Sequence, residues 1–75
     1  MYLHDAIEQV LRDRGGPMHR RDIADEINRR NLYERRDGAP VPPNQISARI
    51  ARPEHRERFA TSEGVVSLTR SAAET

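Results

Sequence analysis

Cysteine, lysine and tryptophan are all missing from the chain, and its only aromatic residues are one Phe and two Tyr. Without cysteine, disulfide staples and thiolate metal sites are excluded. No apolar run is long enough to span a bilayer and no targeting peptide is recognisable. A soluble cytoplasmic protein or fragment with no membrane partner is therefore expected. Catalytic patterns are missing too: there is no Gly-rich phosphate loop, no nucleophile motif and no tight carboxylate pair. His4, His19 and His55 are expected on three different elements, with no i, i+4 pair to hold a metal. No cofactor, metal or enzymatic activity is expected, and any catalysis would reside in a fused domain.

With lysine absent, all 13 basic residues are arginine, against 12 acidic residues. A GC-rich genome accounts for this bias without selection. The same bias also supplies many planar bidentate donors suited to phosphate and guanine. A formal net charge of +1 predicts no partner by itself. The 75 residues are 35% hydrophobic and 33% charged. They make one small domain, which buries only about 60% of the surface its unfolded chain exposes, so the core must be compact. The apolar residues are few but periodic, which argues against disorder.

Residues 3–13 read as a helix. Leu3, Ala6, Ile7, Val10 and Leu11 form one apolar stripe, Glu8 pairs with Arg12 at i+4, and Gly15-Gly16 stops the helix. Pro17-Met18-His19 is a short extended segment. A second helix covers residues 20–31, with Ile23, Ala24 and Ile27 inward. His19 and Asp22 are spaced for a partial capping box there. Residues 32–42 form a loop containing Gly38, Pro40 and Pro42. Pro43 begins a third helix over residues 43–52, with Ile46 and Ile50 buried and Pro53 ending it. Then the period changes: "FATSEGVVSLT" reads as a hairpin with a Gly-containing turn. Residues 71–75, "SAAET", read as a flexible tail to a domain over residues 1–70. The fold class is mainly α with a small β-hairpin. Three helices plus a wing suggest a winged helix-turn-helix.

"LHDAIEQVL", "GGPMHRRDIADEI", "QISARI" and "F…EGVVSL", in that order, resemble the HARE-HTH family of winged helices. The resemblance covers residues 3–68. It implies a DNA-binding module of the kind fused to bacterial restriction-endonuclease domains and found in ASXL-type chromatin regulators. A related domain in the RNA polymerase delta subunit meets the polymerase. This chain departs from the family before the third helix, where Gly38-Ala39-Pro40 stands in place of a frequent Gly-Lys-Thr-Pro element.

Charge is distributed unevenly. Residues 1–13 carry one Arg against three acids, whereas residues 14–21 carry three Arg and no acid. Residues 43–62 carry four Arg against two Glu. In a winged helix these two basic stretches belong to the nucleic-acid side. Arg20 and Arg21 open the second helix, where cations are mildly unfavourable but where a phosphate is attracted. One reading has them clamp the DNA backbone. The other has a solvated pair, with Arg21 satisfied by Asp25 at i+4. On the third helix, the wheel turns Asn44, Gln45, Ala48 and Arg52 outward, with Arg49 on the flank. Asn and Gln suit adenine, Arg suits guanine and Ala48 suits a thymine methyl. The alternative is an ordinary exposed helix surface.

In the wing, His55, Arg56, Arg58 and Ser62 can reach sugar-phosphate, unless Glu54 neutralises Arg58. Arg35 and Arg36, between Glu34 and Asp37, suit a solvated loop. Arg29 and Arg30, with Asp25 and Glu26 at i+4, look structural. The leading expectation is a monomeric module for double-stranded DNA, targeting an attached nuclease or regulatory domain. The alternatives are a protein-interaction module, such as one binding RNA polymerase, or an assembly domain dimerising through its wing edge.

Overall fold

Residues 2–69 are described in the computed structural model; the expected tail, residues 71–75, lies outside them. Along the chain the elements are α1 (Leu3–Arg14), β1 (Met18–His19), α2 (Arg20–Arg30), α3 (Pro43–Ile50), a 3₁₀ turn (Pro53–His55), β2 (Phe59–Ser62) and β3 (Val65–Leu68). The architecture is a winged helix-turn-helix: three helices and a three-stranded antiparallel sheet in the order β1-β3-β2.

Each helix presents the apolar stripe its spacing predicts. Leu3, Ile7 and Leu11 of α1 meet Ile23 and Ile27 of α2 and Ile46 and Ile50 of α3, all buried. Val41, Met18, Phe59 and Val66 close this core from the loop and the sheet. Removing the side chain of one such isoleucine leaves a cavity that destabilises by about 2–5 kcal/mol.

The helix ends show which local rule prevails. Gly15 takes the left-handed conformation (φ 79°) after α1, and its N–H donates to the Leu11 carbonyl at 2.9 Å. Asn31, expected inside the second helix, is instead its left-handed cap (φ 52°), with the Leu32 N–H returning to the Ile27 carbonyl at 3.1 Å. Asparagine tolerates that conformation better than other residues bearing a Cβ. α3 stops at Ile50, two residues short of expectation. Pro53 forces Arg52 into extended backbone (φ −65°, ψ 141°), so Arg52 leaves the helix.

The extended segment before α2 is a third strand. Met18 and His19 pair with Val66 and Val65, while β2 pairs with β3 from Phe59↔Leu68 to Ser62↔Val65. Glu63 (φ 50°) and Gly64 (φ 82°) are both left-handed, the combination a tight two-residue hairpin turn demands. A Cβ on Gly64 would lie 2.8 Å from His19 Nε2, and the Arg20 N–H donates to the Gly64 carbonyl at 2.8 Å. The wing is thereby fastened to the start of α2.

The loop before α3 has an anchor of its own. Asn28 Nδ2 donates to the Val41 carbonyl (3.0 Å), and the Val41 N–H donates to Asn28 Oδ1 (2.8 Å). This two-way amide clamp seats Val41 in the core and aims the chain into Pro43.

Candidate nucleic-acid interface

Arg20 does not stand free in solvent. It is half-buried, and its Nη1 donates to Ser47 Oγ of α3 at 3.0 Å. The helix terminus behind it is already occupied. The Arg20 N–H goes to Gly64, and the Arg21 N–H goes to Nδ1 of His19 at 3.1 Å. His19 thus caps α2, while the reciprocal contact from Asp22 is not made among the described residues. With two terminal backbone donors used internally, anion binding here falls to side chains rather than to a bare helix end. Arg21 is exposed, and the ion pair with Asp25 that its spacing allows is not formed among the described residues.

A groove of about 450 Å³ opens between α2, α3 and the wing. Arg20 and Ser47 lie on one side of it and Arg56 and Thr61 border it, with Ile50, Ala51, Phe59, Gly64 and Val66 also in its lining. Among the described residues, no acidic side chain lines it. Along α3, Asn44 and Ala48 are exposed and point away from Ile46 and Ile50. Ser47 turns toward the groove, and half-buried Gln45 and Arg49 lie on the opposite flank. Arg52 is exposed just past the helix end.

The residues expected in the wing divide. Ser62 lies in the hairpin, exposed at the end of β2. His55, Arg56 and Arg58 precede the hairpin and are not part of it. His55 is buried, 7% exposed, with its ring 4.3 Å from that of His4. A sugar–phosphate contact is therefore closed to it. Burial, and then the neighbouring His4, pushes the His55 pKa below the usual histidine value. Arg58 turns to α1, with Nη1 3.9 Å from Asp5 and 4.0 Å from Glu8, so the pairing with Glu54 does not form. The hairpin itself holds no basic residue, and its tip carries Glu63.

Most of the arginines elsewhere are neutralised. Arg12 pairs with Glu8 (3.3 Å), Arg29 with Glu26 (2.6 Å) and Arg35 with Asp37 (3.0 Å). Arg30 reaches across to Asp13 of α1 (2.7 Å) rather than back to Glu26. Hydrogen bonds from these partners hold the Asp13 and Glu26 carboxyls below their usual range. Arg20, Arg21, Arg49, Arg52 and Arg56, all on or beside the elements around the groove, have no carboxylate partner among the described residues. Arg36 is another without one, and Arg14 acts on Glu26 only at a distance, without a close ion pair.

Several long-range contacts escaped the sequence. The Arg20–Ser47 bond joins residues 27 apart, with no periodic signal to link them. His4 and His55 meet although they belong to different elements, and Tyr2 stacks on His4 at 5.4 Å. Among the described residues, no group of three His, Cys, Asp or Glu side chains is placed to hold a metal ion. Among the described residues, no helix is long and apolar enough to cross a membrane.

The family model of the HARE-HTH domain, the helix-turn-helix domain of ASXL proteins and restriction endonucleases, matches residues 1–71. No curated protein and no solved structure matches the chain. The chain belongs to the HARE-HTH family, a helix-turn-helix family of DNA-binding, non-catalytic domains.

Proposed function

Proceeding from that membership, we propose that residues 1–70 form a duplex-DNA-binding module. On this reading it acts in the cytoplasm and targets an attached nuclease or regulatory domain. The observation that carries the reading is the partition of arginines. Among the described residues, those around the α2–α3–wing groove lack carboxylate partners, and most of those elsewhere have one. An arginine with no internal acid keeps its charge, and most of its donors, for phosphate oxygens.

In this reading Arg20, Arg21 and Arg56 hold the sugar-phosphate backbone, and Ser62 meets it from the wing. Asn44 and Ala48 face base edges, with Gln45, Arg49 and Arg52 beside them. Phosphate contacts fix the register and base-edge contacts give the preference. NMR titration of labelled protein with a mixed-sequence duplex, at low and then moderate salt, tests this. Shifts at residues 20–22, 44–52 and 56 that fade as salt rises are expected. Absence of shifts at low salt would overturn the reading and direct the search to a protein partner such as RNA polymerase.

A further inference from the structure

Ser47 is not among the DNA contacts proposed above, yet its hydrogen bonding is directional. A guanidinium has donors and no acceptor, so in the 3.0 Å bond from Arg20 the Ser47 oxygen must accept. The hydroxyl proton is left over. A helical serine commonly returns that proton to a carbonyl one turn back, but among the described residues Ser47 makes no such bond. An uncommitted O–H therefore sits beside a guanidinium in a groove bordered also by Arg56 and Thr61, with no acid among the described residues of its lining.

From this arrangement we infer that the groove receives one phosphodiester of the DNA backbone. Ser47 donates its hydroxyl proton to a non-bridging oxygen, and Arg20, held at a fixed angle by the same hydroxyl, supplies its remaining N–H groups. This rests on the DNA-binding reading and deepens it. Ser47 is assigned as a contact residue that also positions Arg20, and the two act as a unit. A guanine edge also accepts from arginine, but it carries no charge to balance two cations and would make the contact depend on sequence. A phosphate oxygen satisfies both the cations and the hydroxyl donor.

The test is a double-mutant cycle on duplex affinity with the whole chain, using Ser47→Ala, Arg20→Ala and both together. Ser47→Thr serves as the conservative variant and thermal melts as the check of folding. Ser47→Ala is expected to weaken binding about 3- to 10-fold for every duplex sequence alike. Ser47→Thr should restore most of that loss. Arg20→Ala should lower the salt slope by about 0.9, whereas Ser47→Ala, which removes no charge, should leave the slope unchanged. The double variant should bind little worse than Arg20→Ala alone. If the wild-type chain binds but the two losses simply multiply, or Ser47→Ala binds like wild type, this inference falls and the DNA-binding reading stands. If the wild-type chain does not bind duplex DNA, that reading falls and takes the phosphate site with it.

Discussion

Arg20 and Arg30 open and close the same helix, and their surroundings differ in kind. Arg30 meets a carboxylate, Asp13, at 2.7 Å, and its neighbour Arg29 meets Glu26 at 2.6 Å. Arg20 meets only a serine hydroxyl, and its neighbour Arg21 meets no acid among the described residues. An arginine-rich composition supplies both ends equally, so abundance cannot assign a role. The partner can. Where acid is close, the arginine ties helix to helix or turn to turn. Where acid is withheld, the cation remains available to something outside the domain.

Moving charge at either end is the strongest way to break this contrast. Replacing Arg20 and Arg56 together with Ala is expected to weaken duplex binding roughly 10-fold per lost phosphate contact. Each lost contact should also take about 0.9 from the salt slope. Replacing Arg29 and Arg30 removes the same charge but should leave affinity nearly unchanged and lower the melting temperature slightly. Fluorescence anisotropy across a salt series, with a melt for each variant, makes both comparisons. Equal losses from the two pairs would mean that net charge governs binding and that the partition carries no information.

The contrast also needs a wing fixed against α2, since the groove lies between them. Gly64→Ala tests the fastening. It forces a Cβ into a left-handed turn and 2.8 Å from His19 Nε2, where something must shift. A loss of about 1 kcal/mol or more in folding stability is expected from chemical denaturation. Duplex affinity should fall with it, because Arg20 is joined to the same turn through its N–H.

Most of the fold could be read in the sequence because it rests on short-range rules. Apolar spacing places three helices, Gly15 ends one, Pro43 begins another, and the Glu63-Gly64 pair turns the hairpin. The misplacements share a cause. Asn31 and Arg52 drop out of helices through backbone preferences that helical periodicity does not register. His55 has the spacing of an exposed turn residue, yet it fills the space left beside His4. Of the candidate interface, charge along the chain marked the basic stretches but could not say which arginines are spent on acids. Arg58 faces α1 and Arg56 the groove, although they are two residues apart.

His55 offers a smaller effect that separates packing from binding. Its folded pKa lies below the value near 6.5 of an unfolded histidine, chiefly because burial disfavours the charged ring. Below that value the unfolded chain binds the proton more readily than the native one. The stability is thus fully present above about pH 6.5 and is lost as pH falls through the folded value. Melting temperature should decline over that interval, and His55→Gln should flatten this part of the decline while lowering stability at neutral pH. Duplex affinity measured at pH values where the protein stays folded should be unaffected by the substitution, since His55 faces His4 and not the groove.

Two single-acid substitutions give the finest discrimination. Glu63→Gln at the wing tip and Glu26→Gln on α2 raise the net charge by the same amount. Glu26→Gln even releases an arginine, Arg29, from its acid. The molecule measures 33 × 24 × 23 Å, whereas exposed charges are screened over about 10 Å at 0.1 M salt. Position therefore outweighs total charge. Glu63 sits beside Gly64, which lines the groove, so its removal should strengthen duplex binding by about 2-fold at low salt, less as salt rises. Glu26→Gln should move affinity by less than that. If freeing Arg29 were to strengthen binding as much as neutralising the wing tip, then the DNA would have to reach the far end of α2. The groove would then be too small a description of the binding face.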